Sequence, residues 1–339
     1  RFEAGRDKMA VEAVPEGTCT TMCPIAELRE RKKWNDFHPL ERSVPSFSGR
    51  SLEQLAVKKF KRTIEEVDRS PERLRTLPCL YTTVEHLIGL LDVGVDFEDA
   101  YKLLWDRLRA VRTDVTVQRL LQRRSKEVVP LYERMVRYHI LCSYELCEKK
   151  ASVSNPHGFD AHLNLEQLNK TLQTLLSVYE DCDQASENEA EFVAYDLLLG
   201  TDATKLMRVR RRAAVLGSKE VQFALEVNRT LREKNWVRFF SRTYLQATYL
   251  QACVLHLTGA DRGIRSHCLG VVSGGTKRVF GPKVSVYPLE DLRAALLLAG
   301  ESTATNAEDL AEEVCGDGKL CPEVSAKRQK SYWTEIVNG

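Results

Sequence analysis

The sequence predicts a mainly α-helical fold: a solenoid of helical hairpins followed by a C-terminal winged-helix module with a small β-sheet. Apolar residues recur at helical spacing through most of the first 260 residues. Glycines then become frequent, and the most strand-like segment of the chain, Lys283–Tyr287, lies among them. Helices with one apolar face must pair to bury that face, and stacked hairpins do so along a whole chain.

The composition is that of a folded protein without an overall charge bias. The chain has 339 residues, of which 43% are hydrophobic and 29% charged, and its net charge is +2. Any charge signal must therefore be local. No apolar run approaches the roughly 18 residues that a membrane span needs. The 10 scattered cysteines indicate reduced thiols in a nuclear or cytosolic protein.

Three segments follow from these patterns. We expect an extended arm at residues 1–45, a helical repeat domain at 46–260 and a winged-helix module at 261–339. The arm has few periodic apolar positions, and we expect it to lie on the helices. Because the chain begins with Arg, we expect it to be a piece of a longer protein.

Helical stripes are predicted in order through the middle segment. A capping-box pattern at Ser51–Gln54 opens the first, and Asn164 with Gln167 caps the fifth. His139 lies on an apolar stripe and is expected to be a buried, hydrogen-bonded residue. Trp236, Phe239 and Phe240 resemble a stacking platform, but Phe240 is expected to be core. The stripes cover residues 52–67, 80–91, 100–108, 132–140, 165–179, 192–199, 221–231 and 237–255.

The last segment has the order of a winged helix. Glycines from Gly259 to Gly281 are expected to interrupt the helices before the strand Lys283–Tyr287. A helix beginning at Pro288 and a short helix at Thr305–Val314 follow. The short helix is in the position that reads DNA in such modules. It carries four carboxylates that repel phosphates, so we expect a protein partner there: Glu308, Asp309, Glu312 and Glu313.

Two cysteines near the start of the chain raise the question of a metal site. Cys19 and Cys23 are half of a zinc site by residue type, with Cys315 and Cys321 as the other half, but these spacings are loose. We expect no metal and no cofactor. The segment is instead predicted to dock by packing or to bind a partner through Cys19, Met22, Cys23 and Pro24.

Basic residues are clustered, which suits a phosphate backbone. The nucleic-acid-binding residues predicted from these clusters are Arg208, Arg210, Arg211, Arg212, Lys327, Arg328 and Lys330. Residues 119–126 form a further basic cluster, and the alternative for each cluster is a solvated helix face. The six acids of Glu180–Glu191 are expected to lie in a solvated loop.

The sequence does not assemble catalytic machinery. It has no phosphate-cradling glycine loop, no zinc-protease motif and no nucleophile with a base beside it. We therefore predict that the protein is not an enzyme.

Ordered motif blocks give the chain a family resemblance. The opening signature Gly17–Pro24, with Glu27 and Arg31, resembles that of the Sac/GANP family of mRNA-export scaffolds. Leu108 stands where relatives usually have Thr, and residues 301–339 match only in outline. Five blocks follow the signature in order: Val57–Phe60, Leu103–Asp114, Arg137–Ile140, Asn188–Tyr195 and Asn235–Phe240.

The resemblance implies a non-enzymatic scaffold subunit of the second transcription-and-export complex, TREX-two, in the nucleus and at the nuclear pore. It implies a PCI-like helical domain capped by a winged helix. The implied partners are a second PCI-domain subunit, a small acidic proteasome-lid-type peptide, a DEAD-box helicase of mRNA export, and RNA. Because the cations are gathered in patches, we expect RNA to be bound through its phosphates, without sequence preference. The alternatives are a PCI-type scaffold in splicing or in a proteasome-lid-like assembly, and an acyltransferase-type enzyme.

Overall fold

The chain is mainly α-helical in the computed structural model, which describes residues 14–44, 49–147, 149, 158–182, 186–200, 202–280, 289–296 and 333–338. The described residues contain no β-sheet, and an isolated parallel bridge joins Cys19 to Arg75. The predicted strand Lys283–Tyr287 and short helix Thr305–Val314 lie outside the described residues. The helices are α1 Ile25–Trp34, α2 Pro39–Arg42, α3 Leu52–Leu55, α4 Leu77–Gly89, α5 Phe97–Val117, α6 Leu120–Arg123, α7 Ser125–Glu145, α8 Ala161–Glu180, α9 Glu189–Leu198, α10 Ala203–Arg211, α11 Ala213–Leu216, α12 Lys219–Arg232, α13 Trp236–Arg238, α14 Tyr249–Leu257, α15 Ala260–Phe280, α16 Leu289–Ala295 and α17 Trp333–Asn338.

The chain divides into two compact units. The first consists of residues up to Asp96 together with Ala100–Leu131, and the second of Phe97–Asp99 and the residues from Tyr132 onward. In the second unit α9 is central and packs against α8, α10, α11, α12 and α14. The predicted segment bounds near residues 45 and 260 stay a prediction. No helix in the described ranges is both long and apolar enough to cross a membrane.

Most of the predicted stripes are helices whose apolar positions are buried. Leu80, Val84 and Leu87 are fully buried on α4, and Leu168 and Leu172 on α8. The predicted cap of α8 is wrong, because Asp160 caps the helix by accepting the N–H of Leu163 at 2.8 Å.

Asn164 lies inside α8 and binds a neighbouring helix. Its Nδ2 donates to His139 O at 2.9 Å, and a second hydrogen bond joins Asn164 Oδ1 to His139 Nδ1 at 2.8 Å. His139 is 2% exposed, which confirms that it is a buried, hydrogen-bonded residue.

The predicted helix over residues 52–67 is wrong beyond its first turn. The capping box of Ser51 and Gln54 is present, but α3 ends at Leu55, Ala56 has an extended backbone, and residues 57–61 have no regular secondary structure. The reason is competition for backbone donors. The N–H groups of residues 57–60 donate to groups elsewhere in the chain: Val57 to Glu41 Oε1 at 3.0 Å, Lys58 to Met22 O at 3.0 Å, Lys59 to Glu27 Oε1 at 2.8 Å and Phe60 to Asp106 Oδ2 at 3.2 Å.

The stripe over 237–255 is broken into a short helix, a π-helical turn at Phe239–Thr243, a 3₁₀ turn and α14. Three rings pack at the break. The centroids of Phe239 and Phe240 lie 5.0 Å apart, and that of Tyr244 lies 5.5 Å from Phe239. Phe240 is 1% exposed, so its assignment to the core is confirmed.

Replacing Phe240 by Ala is expected to lower the free energy of unfolding by about 3–5 kcal/mol, because a buried ring leaves a cavity that collapses only partly. Chemical denaturation of the two proteins measures this. The partly exposed Trp236 provides the control, since Trp236→Ala should cost far less. Unfolding of Phe240→Ala at the wild-type midpoint would refute the core assignment.

Glycines do not interrupt the helix that follows. Gly259, with φ of 66°, separates α14 from α15 as predicted. The predicted breaks at the glycines after it are wrong, since α15 runs without interruption from Ala260 to Phe280. A methyl group at Gly263 or Gly270 would meet no atom within 4 Å, so no close backbone approach requires these glycines. Each costs about 1 kcal/mol relative to Ala, and the tertiary context of the helix overrides that cost.

The predicted extended arm is only partly extended. Residues 14–24 are non-helical, but α1 and α2 lie within the segment. Leu28 and Phe37 pack with Cys23 and Ala56 in one apolar cluster. The sequence pattern did not predict α1 because seven of its ten residues are polar or small, which leaves too few apolar residues for a periodic pattern.

Candidate functional site

The signature segment Gly17–Pro24 is held against the chain that enters α4. The N–H of Cys19 donates to Leu74 O at 3.0 Å, and Cys19 O accepts the N–H of Thr76 at 2.9 Å. Gly17 donates to the side chain of Gln118 at 2.8 Å. A methyl group on Gly17 would lie 2.4 Å from Leu74 O, so only glycine fits at this contact.

The signature thiols are buried. Cys19 is 8% exposed and Cys23 1%, and Pro24 is buried as well, whereas Met22 is half-buried. Burial raises the pKa of the Cys23 thiol to about 12. A protonated, apolar-packed thiol is suited to filling space rather than to metal binding. Within the described ranges, no three His, Cys, Asp or Glu side chains group as metal ligands do.

We expect purified protein to contain no stoichiometric zinc, because the two signature thiols are packed and lack further ligands beside them. Plasma emission spectrometry of the purified chain measures this. One zinc per chain that is lost in Cys19→Ser or Cys23→Ser, but kept in the matched variant Cys147→Ser, would contradict the packing role.

Glu41 joins the signature helix α1 to two other segments. Its carboxylate is fully buried and pairs with Arg31 at 2.5 Å and with Arg107 at 3.0 Å. It also accepts the N–H groups of Val57 and His38 at 3.0 Å each. Burial alone would raise the pKa of Glu41, but Arg107, Arg31 and the Val57 N–H together hold this pKa below its usual value. Glu41 is therefore a buried anion whose hydrogen-bonding capacity is filled.

Asp114 of α5 forms a second buried charge network. It is fully buried and accepts Lys58 Nζ at 2.6 Å and Arg75 Nε at 2.7 Å. Arg75 is itself 0% exposed. The next helical turn adds Gln118, whose Nε2 donates to Arg75 O at 3.0 Å while its Oε1 accepts Gly17. These bonds connect the signature to α5 and to the entry of α4.

A third network lies in the second unit. Arg137 is 2% exposed and makes a two-pronged pair with Glu191, at 2.8 and 2.6 Å. Glu191 also accepts the Tyr195 hydroxyl at 2.8 Å, and Arg137 Nη1 donates to Asn338 O at 3.0 Å. Val337 of α17 is 0% exposed, so this helix is anchored to the unit.

The α10 cluster consists of the basic residues Lys205, Arg208, Arg210, Arg211 and Arg212. Ion pairs neutralise three of these five cations. Lys205 Nζ pairs with Asp196 at 2.9 Å, and Arg212 Nε pairs with Glu189 at 2.9 Å. Arg208 pairs with Glu180 and lies 3.6 Å from Asp196. Both Asp196 and Glu189 are at most 5% exposed. These three cations therefore stabilise the packing of α10 on its neighbours.

Two residues of the α10 cluster differ from the rest. Arg210 is exposed and has no ion pair to a described residue. The side chain of Arg211 lies outside the described part. The role of the cluster in nucleic-acid binding stays a prediction, with Arg210 as its exposed member.

The predicted solvated loop of acids is wrong in three of its six members. Glu180 and Glu189 pair with the α10 cations, and Glu191 pairs with Arg137. Glu189 is 2% exposed, and burial raises its pKa above the usual value while Arg212 opposes the rise. The sequence showed a basic run and an acidic run, but it did not show that acids of one form ion pairs with cations of the other.

The remaining predicted site residues lie outside the described residues. These are the basic positions Lys327, Arg328 and Lys330 and the acidic positions Glu308, Asp309, Glu312 and Glu313. Their assignments to RNA and to a protein partner stay predictions.

Sequence reasoning missed the buried networks, although a signal was present. Most of their members come from the blocks that carry the family resemblance, whereas Glu41, Arg75 and Gln118 lie outside those blocks. Arg31 and Glu27 follow the signature, Lys58 stands in Val57–Phe60, and Asp114 ends Leu103–Asp114. Charged residues are almost never fully buried unless they are paired, so charges that stand among apolar residues in these blocks were the available signal.

The fold and these networks define a mainly helical protein whose N-terminal signature is locked in place by buried ion pairs. The sequence model of the SAC3/GANP family matches residues 22–313 of the chain. The chain belongs to the SAC3/GANP family.

Curated relatives agree with this assignment. The chain is 35% identical to SAC3 family protein B of Arabidopsis thaliana over 75% of its length, and 29% identical to SAC3 family protein 1 of Schizosaccharomyces pombe over 83%. It is 31% identical to Protein xmas of Drosophila melanogaster over 74%. The matched region spans 16%, 28% and 12% of those three proteins, so each relative is much longer than the part it shares with this chain.

Proposed function

We propose that this chain is the scaffold region of a nuclear mRNA-export complex of the TREX-two type, and that it acts without catalysis. The observation that carries the proposal is the family match across residues 22–313. The buried networks support it, because they fix the relative positions of distant segments while leaving the surface free for partners. The helices are proposed to stack as a PCI-like solenoid that ends in a winged helix.

The proposed partners follow the resemblance. A second PCI-domain subunit, a small acidic peptide of the proteasome-lid type and a DEAD-box helicase of mRNA export would assemble on the chain in the nucleus, at the nuclear pore. The acids Glu308, Asp309, Glu312 and Glu313 are proposed to face a protein partner. RNA would bind by its phosphates to basic surfaces, for which Arg210, Arg211 and the tail residues Lys327, Arg328 and Lys330 are candidates.

Affinity purification of the tagged protein from nuclear extract, followed by mass spectrometry, tests the proposal. We expect a PCI-domain subunit, a small acidic subunit and an export helicase in near-equal amounts that survive high salt. The comparison variant neutralises the four acids of residues 308–313; we expect it to lose a protein partner, and a circular dichroism melt checks that it is folded. Recovery of spliceosomal or proteasome-lid subunits in stoichiometric amounts, without the export set, would contradict the proposal.

A further inference from the structure

A basic surface lies at the turn from α5 to α7, which we name the α5–α7 ridge and define as Arg119, Arg123, Arg124 and Lys126. Arg119 and Arg123 lie one helical turn apart, and Arg124 and Lys126 follow directly in the chain. The N–H of Arg123 donates to Arg119 O at 3.1 Å, and that of Arg124 to Leu120 O at 2.8 Å. Residues one helical turn apart present their side chains together, so the ridge is a compact group.

The ridge is poorly neutralised. Arg119 and Lys126 are exposed and have no ion pair to any described residue. Arg123 is 43% exposed, and its partner Glu16 lies at 3.8 Å and is itself 74% exposed. Arg124 makes a two-pronged pair with Glu127, although both side chains are about half exposed, so its charge is largely balanced. A long, exposed pair such as Arg123–Glu16 contributes little to stability and exchanges readily for another anion. Arg119, Arg123 and Lys126 are therefore the cations of the ridge that are left to bind a phosphate.

The α10 cluster, in contrast to the ridge, is partly neutralised by buried carboxylates. Its cations Lys205 and Arg212 are committed to Asp196 and Glu189, which are at most 5% exposed. A phosphate that recruited these cations would leave a buried carboxylate without its partner, and that is costly. The ridge can bind a phosphate without breaking a buried pair.

The backbone of the ridge is held rigidly. Arg119 has left-handed backbone geometry, with φ of 50°. It directly follows Gln118, whose side chain is hydrogen-bonded to Gly17 N and to Arg75 O. The hydroxyl of the half-buried Tyr81 donates to Glu127 O at the start of α7. The cations are therefore presented from a fixed frame, with a partly exposed aromatic ring beside them.

We propose that the α5–α7 ridge is a surface through which this chain holds single-stranded RNA by its phosphates. The inference rests on the RNA-binding part of the proposed function and assigns it to residues of the first unit. Fixed, exposed cations beside an aromatic ring suit the backbone of a single strand. Binding should be tolerant of sequence, since phosphates carry no base information.

The salt dependence of binding gives the size of the effect. Three phosphate contacts on a single strand release about 0.7 counterions each, which corresponds to a loss of affinity of roughly 20-fold over a fourfold rise in salt. Reversing the charge of Arg119, Arg123 and Lys126 should raise Kd about tenfold or more for every RNA sequence and remove most of that salt dependence.

The experiment is fluorescence anisotropy of the whole 339-residue chain with three unrelated RNA oligomers at two salt concentrations. The ridge variant is Arg119→Glu, Arg123→Glu and Lys126→Glu. The matched control is Lys219→Glu, Arg232→Glu and Lys234→Glu, which reverses three exposed cations on and after α12, one of them also at positive φ. Circular dichroism melts confirm that both variants are folded.

The outcomes separate the two proposals. Binding that the ridge variant loses and the control keeps, equally for all RNAs, supports the ridge. Wild-type binding with equal affinities for the ridge variant and the control overturns the ridge but leaves the proposed RNA binding intact. Loss of binding on reversal of Lys327, Arg328 and Lys330 alone moves the contact to the tail and also overturns the ridge. No binding by the wild-type chain even at low salt refutes the RNA-binding part of the proposed function.

Discussion

Replacing Asp114 by Ala is expected to lower the free energy of unfolding by about 5 kcal/mol, the upper end of the range for breaking a buried ion pair. The carboxylate is fully buried, and it is the anionic partner of both Lys58 and Arg75. Its removal leaves two cations in the interior, one of which is itself fully buried. The signature segment should loosen with it, since Arg75 and Gln118 connect the segment to α5.

The measurement is urea denaturation at neutral pH, with hydrogen exchange of the Cys19 and Thr76 amides as a local readout. The matched control is Asp36→Ala, which removes an aspartate that pairs with Lys59 at 2.7 Å but is 52% exposed. That change should stay within about 1 kcal/mol of wild type. Equal effects of the two substitutions would show that burial of the Asp114 pair contributes nothing.

Replacing Glu41 by Gln should destabilise the chain to a similar extent at neutral pH, because Arg31 and Arg107 lose their shared buried anion. Gln has nearly the shape of Glu, so the change isolates the charge. Glu53→Gln is the control, since both side chains of the Lys32–Glu53 pair are about half exposed. This substitution should leave the midpoint of unfolding at the wild-type value.

The penalty of Glu41→Gln should also depend on pH. The pKa of Glu41 is lower in the folded chain than in the unfolded chain, where it is about 4.3. A depressed pKa contributes stability that is complete above the unfolded value and is lost as the pH falls through the folded value. The difference in unfolding free energy between wild type and Glu41→Gln should therefore be constant near neutral pH and shrink below about pH 4. A difference that grows on acidification would contradict the assigned direction.

The sequence predicted the parts of the fold in which local pattern and tertiary packing agree. Leu80, Val84 and Leu87 follow the helical period, and α4 buries all three. The same reasoning failed at residues 56–60, where the apolar period continues but carboxylates such as Glu41 and Glu27 take the backbone donors. No local pattern reveals an acceptor that arrives from 16 or 32 residues away.

The candidate site could be predicted from the sequence only in part, for a related physical reason. The α10 cations were visible as a run, but the partners that neutralise Lys205 and Arg212 come from α9. Whether a charged residue is exposed or forms a buried ion pair depends on which residues the fold places beside it. From the sequence alone, the cations at residues 119–126 cannot be distinguished from those of α10. The structure distinguishes them, because Asp196 and Glu189 pair with Lys205 and Arg212.

Depletion of this protein from its own cells, followed by measurement of polyadenylated RNA in nucleus and cytoplasm, tests its proposed place in mRNA export most directly. Nuclear accumulation of polyadenylated RNA is expected, with rescue by the wild-type protein and by Asp36→Ala but not by Asp114→Ala, whose signature segment is loosened. An unchanged distribution of polyadenylated RNA after depletion would contradict the role in export.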